Sequence, residues 1–264
     1  MKKSASLKNK LKKNELTIGS WITIGHPSIA EIMAKVGFDW LTVDMEHSDI
    51  TLHQAQELIR VIDLCGVTAL VRVGENSPNL IKRVMDAGAH GVIVPMVNTK
   101  EEAQKAVNAV KYPPYGTRGV GLARAQGYGL AFEPYLDWVR KESVVIVQIE
   151  HIQAVENLEE ILWVEGVDAF LVGPYDLSGS MGRPGDLDHP EMISALKRIA
   201  EVSKRLKKTM GFHVVPPKAE TVVEKIREGY RLIAYCVDFL FLIESCRNGL
   251  GTIREGLKKM EPEG

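Results

Sequence analysis

Short apolar runs recur at regular intervals along the whole chain. They are hydrophobic almost without interruption and do not alternate with polar residues, which is typical of strands buried on both faces. Eight runs share this pattern, and they span residues 16–25, 39–44, 68–73, 91–97, 143–150, 168–174, 209–215 and 231–238. The pattern therefore predicts eight strands of a sheet that is covered on both sides.

Helix-start signals fill the gaps between these runs. In each, a serine or threonine precedes a Glu or Gln by three residues or stands directly before a proline: Ser28 with Glu31, Thr51 with Gln54, Ser77 with Pro78, and Thr99 with Glu102. Alternating strands and helices predict parallel βαβ units. Eight units favour a single-domain α/β fold over residues 1–264, a closed (β/α)8 TIM barrel, with an open doubly wound sheet as the alternative.

Two segments stand outside this rhythm. Residues 1–15 are rich in lysine and contain no apolar core region, so we expect a solvated polar helix there and no secretory signal. Residues 111–135 form a long connection that is rich in glycine and aromatic side chains. Long connections in compact domains are usually functional or disordered. This segment is therefore predicted to form an active-site lid.

The charge balance narrows the classes of function. The 264 residues include 33 basic and 34 acidic side chains, for a net charge of −1. The chain therefore has no excess of positive charge to bind nucleic acid or an anionic membrane. No run approaches the roughly 18 apolar residues of a membrane span. Cys65, Cys236 and Cys246 are widely spaced, which indicates small core residues in a reducing compartment. We expect a cytoplasmic protein.

Groups able to bind a ligand or act chemically, a glycine backbone among them, collect where the predicted strands end, which is where barrel enzymes place their active sites. They are Asp44, Glu46 and His47 after strand 2, Arg72 after strand 3, Gln148 and Glu150 after strand 5, and Gly173, Tyr175 and Asp176 after strand 6. The strand starts carry fewer such groups. Asp168 is one of them, and we assign it to stability.

The types of these residues indicate metal-assisted chemistry. Glu150 and Asp176 follow neighbouring strands and can hold a hard divalent cation through oxygen, with water and a chelating substrate completing the coordination. His47 can act as a general base because its unperturbed pKa lies near working pH. Arg72 supplies a permanent cation for a developing oxyanion.

Several motifs are missing from the sequence. No lysine lies within or at the end of an apolar strand, which argues against a Schiff-base aldolase. The ends of strands 7 and 8 lack a glycine-rich phosphate cradle, and no dinucleotide or Walker motif follows a strand. We therefore expect a metal ion and no organic cofactor.

Each candidate also has an ordinary structural explanation. His47 can be a surface histidine, Arg72 an ion-pair partner, and Asp86 a solvated acid on a helix. Glu150 can stabilise a helix N-terminus, and Asp176 can be a helix N-cap. We assign structural roles to the other histidines, which are His26, His53, His90, His151, His189 and His213.

Together the strand-end motifs resemble the HpcH/HpaI family of class II, metal-dependent pyruvate aldolases. The similarity covers roughly residues 15–260 and rests on six motifs in the same order: GFDWLTVDMEH (37–47), VRV (71–73), MDAGAHGVIVPMV (85–97), YPPYGTRGVG (112–121), VQIE (147–150) and EGVDAFLVGPYDLSGSMG (165–182). The set is specific for the family and much less specific for a substrate.

The resemblance implies a role for each matched catalytic residue. His47 corresponds to the catalytic base, and Arg72 to the arginine that stabilises an enolate. Asp86 corresponds to an acid that raises the basicity of the histidine. Glu150 and Asp176 correspond to ligands of Mg2+, Mn2+ or Co2+.

The resemblance also implies a substrate site and an assembly. Gln148 and the backbone at Gly173 and Tyr175 match positions that bind pyruvate. The family fold is a (β/α)8 barrel whose last helix often packs on a neighbouring subunit, so a homo-oligomer is expected, as a hexamer built from three dimers. Tyr175 and the sequence of residues 121–129 depart from familiar sugar-acid aldolases, which leaves the aldehyde open.

Three functional hypotheses follow. The first is an aldolase that cleaves a 4-hydroxy-2-oxo acid of the 2-keto-3-deoxy type reversibly to pyruvate and an aldehyde. The second is a carbon–carbon lyase or transferase of the citrate lyase β type that acts on an acyl-CoA or a second keto acid, with Arg118 and Arg124 as candidates for the CoA phosphates. The third is a non-catalytic metabolite-binding protein.

Overall fold

The computed structural model, which describes residues 6–259, contains a closed barrel of parallel strands. Each strand pairs with the next along the chain, and the eighth pairs with the first. The strands are β1 (Thr17–Ile22), β2 (Trp40–Asp44), β3 (Thr68–Arg72), β4 (Gly91–Val94), β5 (Val144–Ile149), β6 (Ala169–Val172), β7 (Thr209–Val214) and β8 (Leu232–Val237). The TIM barrel and all eight strand positions are confirmed, and the open sheet is excluded.

Helices surround the barrel and join successive strands. They are α1 (Leu7–Lys12), α2 (Pro27–Val36), α3 (Leu52–Leu64), α4 (Pro78–Asp86), α5 (Lys100–Val110), α6 (Phe132–Glu142), α7 (Ile152–Glu156), α8 (Leu158–Trp163), α9 (Pro174–Ser180), α10 (Pro190–Leu206), α11 (Ala219–Arg227) and α12 (Asp238–Lys258). None of the helices in the described part of the chain is long and apolar enough to cross a membrane.

Most of the helix-start predictions are confirmed. Thr51 and Thr99 form complete capping boxes with the residues three positions on, and the Ser77 hydroxyl accepts the Leu80 amide. The capping box at Ser28 is wrong, because α2 begins one residue earlier at Pro27 and the His26 side chain caps it. Proline is favoured at the first helical position, where its missing N–H is not needed.

The barrel interior is filled by large side chains. Trp21, Trp40 and Leu70 belong to one buried cluster inside the barrel. Gly19 makes room for this layer, since a Cβ at that position would lie 2.0 Å from the Trp40 ring. Burial on both faces explains why the strands are apolar without alternation.

The N-terminal helix has a packing role beyond the solvated one predicted for residues 1–15. Leu7 and Leu11 of α1 are buried and join the interior cluster at the face where the strands start. Lys8 forms an ion pair of 2.8 Å with Asp168, whose other oxygen accepts the Val145 amide. The structural assignment of Asp168 is therefore confirmed, while residues 1–5 lie outside the described part.

The predicted lid runs along the opposite end of the barrel. Because α5 descends from the strand-end face, residues 111–135 begin near the start of β5, where Lys111 donates to the Ser143 hydroxyl, and they run into α6. Their side chains pair with the C-terminal ends of α3 and α4: Arg118 with Asp86, and Arg124 with Asp63. None of these contacts reaches the strand-end residues of the same chain, so the segment does not cover its own barrel mouth.

Candidate active site

Arg72 lies at the centre of a charged network on the strand-end face. Its Nε and Nη2 atoms donate to both carboxylate oxygens of Asp44, at 2.9 and 2.6 Å. The pairing follows from the sheet register, which places Asp44 of β2 directly beside Arg72 of β3. Nη1 lies 3.3 Å from Oε2 of Glu46. The two parallel hydrogen bonds to Asp44 fix the plane of the guanidinium.

Two carboxylates beside Arg72 behave in opposite ways. Burial alone would raise the pKa of Asp44, but the hydrogen bond and charge of Arg72 outweigh it and hold that pKa below its usual value. Glu46 is different, because burial together with the charges of Asp44 and Asp176 raises its pKa to about 7 despite the nearby arginine. Asp44 therefore stays ionised beside Arg72, whereas the Glu46 carboxylate titrates near neutral pH.

Glu150 is held at the end of β5 by its neighbours. Its Oε1 accepts the backbone N–H of Met96 at 2.7 Å, and its Oε2 accepts the side-chain amide of Gln148. Met96 has a left-handed backbone (φ 51°), which turns its N–H toward the carboxylate. Burial and the charges of Glu46 and Asp176 raise the pKa of Glu150 to about 7.

Gly173 is required by this packing. A Cβ at Gly173 would lie 2.8 Å from Oε2 of Glu150 and 3.1 Å from Nε2 of Gln148. The next residues form the first turn of α9, where both Tyr175 and Asp176 are exposed. The Asp176 charge acts on Glu46 and on Glu150, so three carboxylates face one another at the barrel mouth.

His47 lies at the edge of the site. Its side chain is 63% exposed, and Nε2 is 3.9 Å from Oε2 of Glu46. Its backbone N–H is bound by the Asp44 carboxylate, which fixes the turn after β2. The imidazole therefore lies beside Glu46 and is open to solvent and to a bound ligand.

Asp86 lies elsewhere in the same chain. It ends α4, near the face where strands start, and pairs with the fully buried guanidinium of Arg118, which also bonds the Tyr135 hydroxyl. Among the described residues no ion pair links Asp86 to His47. The resemblance-based role of Asp86 beside the histidine is therefore not supported by its contacts within this chain.

Two groups that shape the site are not predicted by the sequence. The Arg72 Cζ atom lies 4.3 Å from the centre of the Trp21 ring, a cation–π contact between β3 and β1. The backbone of Met96 supplies a donor to Glu150. Trp21 belongs to an apolar run, which indicates burial and not a contact with Arg72, and a backbone donor leaves no trace in residue type.

The arrangement matches a known family. The family model described as HpcH/HpaI aldolase/citrate lyase matches residues 17–245. The chain belongs to this family. It is accordingly an enzyme, a carbon–carbon lyase of the HpcH/HpaI aldolase group.

Individual relatives agree with this assignment. A 2-keto-3-deoxy-L-rhamnonate aldolase of Escherichia coli K12 is 36% identical over 259 residues, which cover 96% of this chain and 94% of that protein. A family member from Burkholderia cenocepacia J2315 superposes with a TM-score of 0.89 at 33% identity, covering 94% and 98% of the two chains. A citrate synthase, SbnG, superposes with a TM-score of 0.84 at 26% identity, covering 96% and 99%.

Proposed function

We propose that the enzyme is a metal-dependent class II aldolase that cleaves a 4-hydroxy-2-oxo acid reversibly to pyruvate and an aldehyde. The single observation that carries this is the fixed pairing of Arg72 with Asp44 beside a cluster of carboxylates at the strand-end face. The 36% identical relative named as a 2-keto-3-deoxy-L-rhamnonate aldolase favours a substrate of the 2-keto-3-deoxy acid type.

The carboxylates at the mouth fit a divalent cation. Glu46, Glu150 and Asp176 repel one another, and burial raises the pKa of Glu150 to about 7, so a cation would relieve both charge and desolvation. The described residues contain no group of three or more His, Cys, Asp or Glu placed to hold a metal. Two carboxylates with water and substrate suffice for Mg2+ or Mn2+, and we assign Glu150 and Asp176 to that role.

When bound, the cation would polarise the keto group of the substrate as a Lewis acid. Arg72 stabilises the charge that develops on the enolate oxygen, because its guanidinium is already oriented by Asp44 and needs no reorganisation. Gln148 and the backbone of Gly173 and Tyr175 line the place assigned to pyruvate. His47, exposed at the rim, accepts the proton of the aldol hydroxyl in cleavage.

The acyl-CoA alternative receives less support. The SbnG citrate synthase shares the fold, but the arginines expected to meet CoA phosphates are both used elsewhere. Arg118 is buried against Asp86, and Arg124 is paired with Asp63 at 2.7 Å near the strand-start face. Neither guanidinium is available at the barrel mouth of its own chain.

We also propose that the enzyme assembles through α12, in a homo-oligomer such as the hexamer implied by the resemblance. Of this 21-residue helix only Asp238 is buried. Leu242, Ile243, Leu250, Ile253 and Leu257 are all exposed. So long an apolar surface on a terminal helix fits a second copy of the chain. Light scattering of an Ile253→Glu variant, expected to give a smaller particle than the wild type, tests this point.

Cleavage of synthetic 4-hydroxy-2-oxo acids, followed by coupled detection of pyruvate, tests the function. We expect metal-dependent release that falls at least about 100-fold in Arg72→Lys, since lysine cannot reproduce the two-point contact. Release of pyruvate at the wild-type rate by Arg72→Lys, or from chelator-treated protein, would contradict the proposal. Lys82→Arg on the outer helix α4 serves as the matched control and should change nothing.

A further inference from the structure

His213 contacts the site from the end of β7, where the sheet register places it level with Gly173. It lies on β7, and its ring centre is 5.3 Å from that of Trp21, with the rings tilted by 54°. The same indole carries the Arg72 guanidinium at 4.3 Å. A histidine that the sequence assigned to structure is thus connected to the central cation of the site through a single side chain.

The surroundings of His213 indicate its protonation state. Burial and the charge of Arg72 lower the pKa of His213 to about 4, so the imidazole is neutral at pH 7. The Cys236 backbone acts in the opposite direction and favours a proton on the ring, and the buried Nε2 has no partner among the described residues. A neutral imidazole that donates through Nδ1 leaves Nε2 as an acceptor.

A β-bulge shapes the backbone beside His213. The pairing of β1 with β8 shifts register between Gly19 and Trp21, and Cys236 lies in the resulting bulge with a left-handed backbone (φ 56°). Bulges re-aim backbone groups next to active sites. The bulge therefore sets which backbone group of Cys236 faces the His213 imidazole.

Trp21 offers the complementary group. Its Nε1–H is buried and also lacks a partner among the described residues. Indole nitrogen can only donate, and Nε2 of a neutral His213 accepts when the ring proton is on Nδ1. The two unpaired atoms belong to rings in contact, so one water between them would satisfy both.

We propose that His213 is a positioning residue for Arg72. A hydrogen-bonded bridge from Nε2 of His213 to Nε1–H of Trp21 fixes the indole against which the guanidinium rests. This role of His213 rests on the proposed function only for its kinetic readout. Simple packing of His213 as a core residue is the competing explanation, and it requires the ring but not the nitrogen atoms.

Two substitutions separate these explanations. His213→Phe keeps a ring against Trp21 and removes both nitrogens, whereas His213→Gln keeps a donor and an acceptor. His90→Gln is the matched control, because His90 contacts Asp63 near the strand-start face. The 1H–15N signal of the Trp21 indole, identified by its loss in Trp21→Phe, reports the bridge without any catalytic assay.

We expect His213→Phe to shift the Trp21 indole signal and to speed exchange of its proton at least about 10-fold. It should also lower kcat for cleavage by about 10-fold with little change in KM, as small misplacements of a positioned group do. His213→Gln should stay within about threefold of the wild type in both indole proton exchange and kcat. His90→Gln should equal the wild type in both.

A wild-type indole signal and exchange rate in His213→Phe would overturn the bridge, as would equal loss in His213→Gln. If His213→Phe does not fold, His213→Leu supplies the variant without nitrogens. If the wild type cleaves no 4-hydroxy-2-oxo acid, the proposed function fails, and the indole signal alone still decides the bridge.

Discussion

Replacing Asp44 by asparagine tests how far the site depends on a pre-oriented arginine. Asp44→Asn removes the negative charge that binds two nitrogens of Arg72 at 2.9 and 2.6 Å, and it turns an amide donor toward one of them. The Asp44 and Arg72 side chains are only 3% and 9% exposed, so solvent compensates little. Breaking a buried ion pair costs roughly 3–5 kcal/mol, and we expect about 3 kcal/mol because Glu46 remains beside Arg72.

The same change should affect catalysis independently of folding. Arg72 can then rotate toward Glu46, and a displacement near 1 Å lowers rates by about 100-fold. Urea unfolding gives the loss of stability, and pyruvate release per folded molecule gives the loss of rate. Asp168→Asn is the control, since Asp168 pairs with Lys8 away from the site and should lower stability alone. A stable Asp44→Asn variant with a wild-type rate would show that neither folding nor catalysis needs Arg72 to be oriented by Asp44.

Three further predictions concern the carboxylates and their surroundings. The pKa values of Glu46 and Glu150 in the folded protein are raised to about 7, so the metal-free protein should lose stability as pH rises from about 4.5 through 7. Mg2+ should therefore raise the melting temperature more at pH 8 than at pH 5. An equal rise at both pH values would contradict this prediction. Gly173→Ala should displace Glu150 and weaken Mg2+ binding about 10-fold by calorimetry, whereas unchanged affinity would show that the cradle tolerates a Cβ. Arg118→Met should destabilise Asp86→Asn much less than it destabilises the wild type in a double-mutant cycle, and additive losses would rule out the pair.

The fold could be read from the sequence because each strand carries its own signal. A run such as residues 143–150 is apolar on both faces only when helices and a packed interior cover it, and β5 is buried throughout. Local signals worked where they are self-contained, as in the capping box at Thr51. The signal at Ser28 failed because Pro27 competed for the start of the same helix.

The sequence predicts only those site residues that lie at strand ends. Placing Asp44, Arg72, Glu150 and Asp176 together needs no more than the barrel rule. The contact of Trp21 with Arg72 joins non-adjacent strands across the interior, which no spacing in the sequence encodes. The lid prediction for residues 111–135 was wrong although the element order already excluded it. A connection that follows a helix and precedes a strand lies at the strand-start face, and glycine and aromatic content does not change that.

We propose that this site forms an enolate from pyruvate. Deuterium uptake into the methyl group of pyruvate in heavy water, followed by NMR, measures that step without any knowledge of the aldehyde. The protein would be stripped of metal and then supplied with Mg2+, Mn2+ or Co2+. We expect exchange that requires the metal and is lost in Glu150→Gln, while the control Glu57→Gln on α3 behaves as the wild type. Exchange that persists in metal-free protein or in Glu150→Gln would contradict the account.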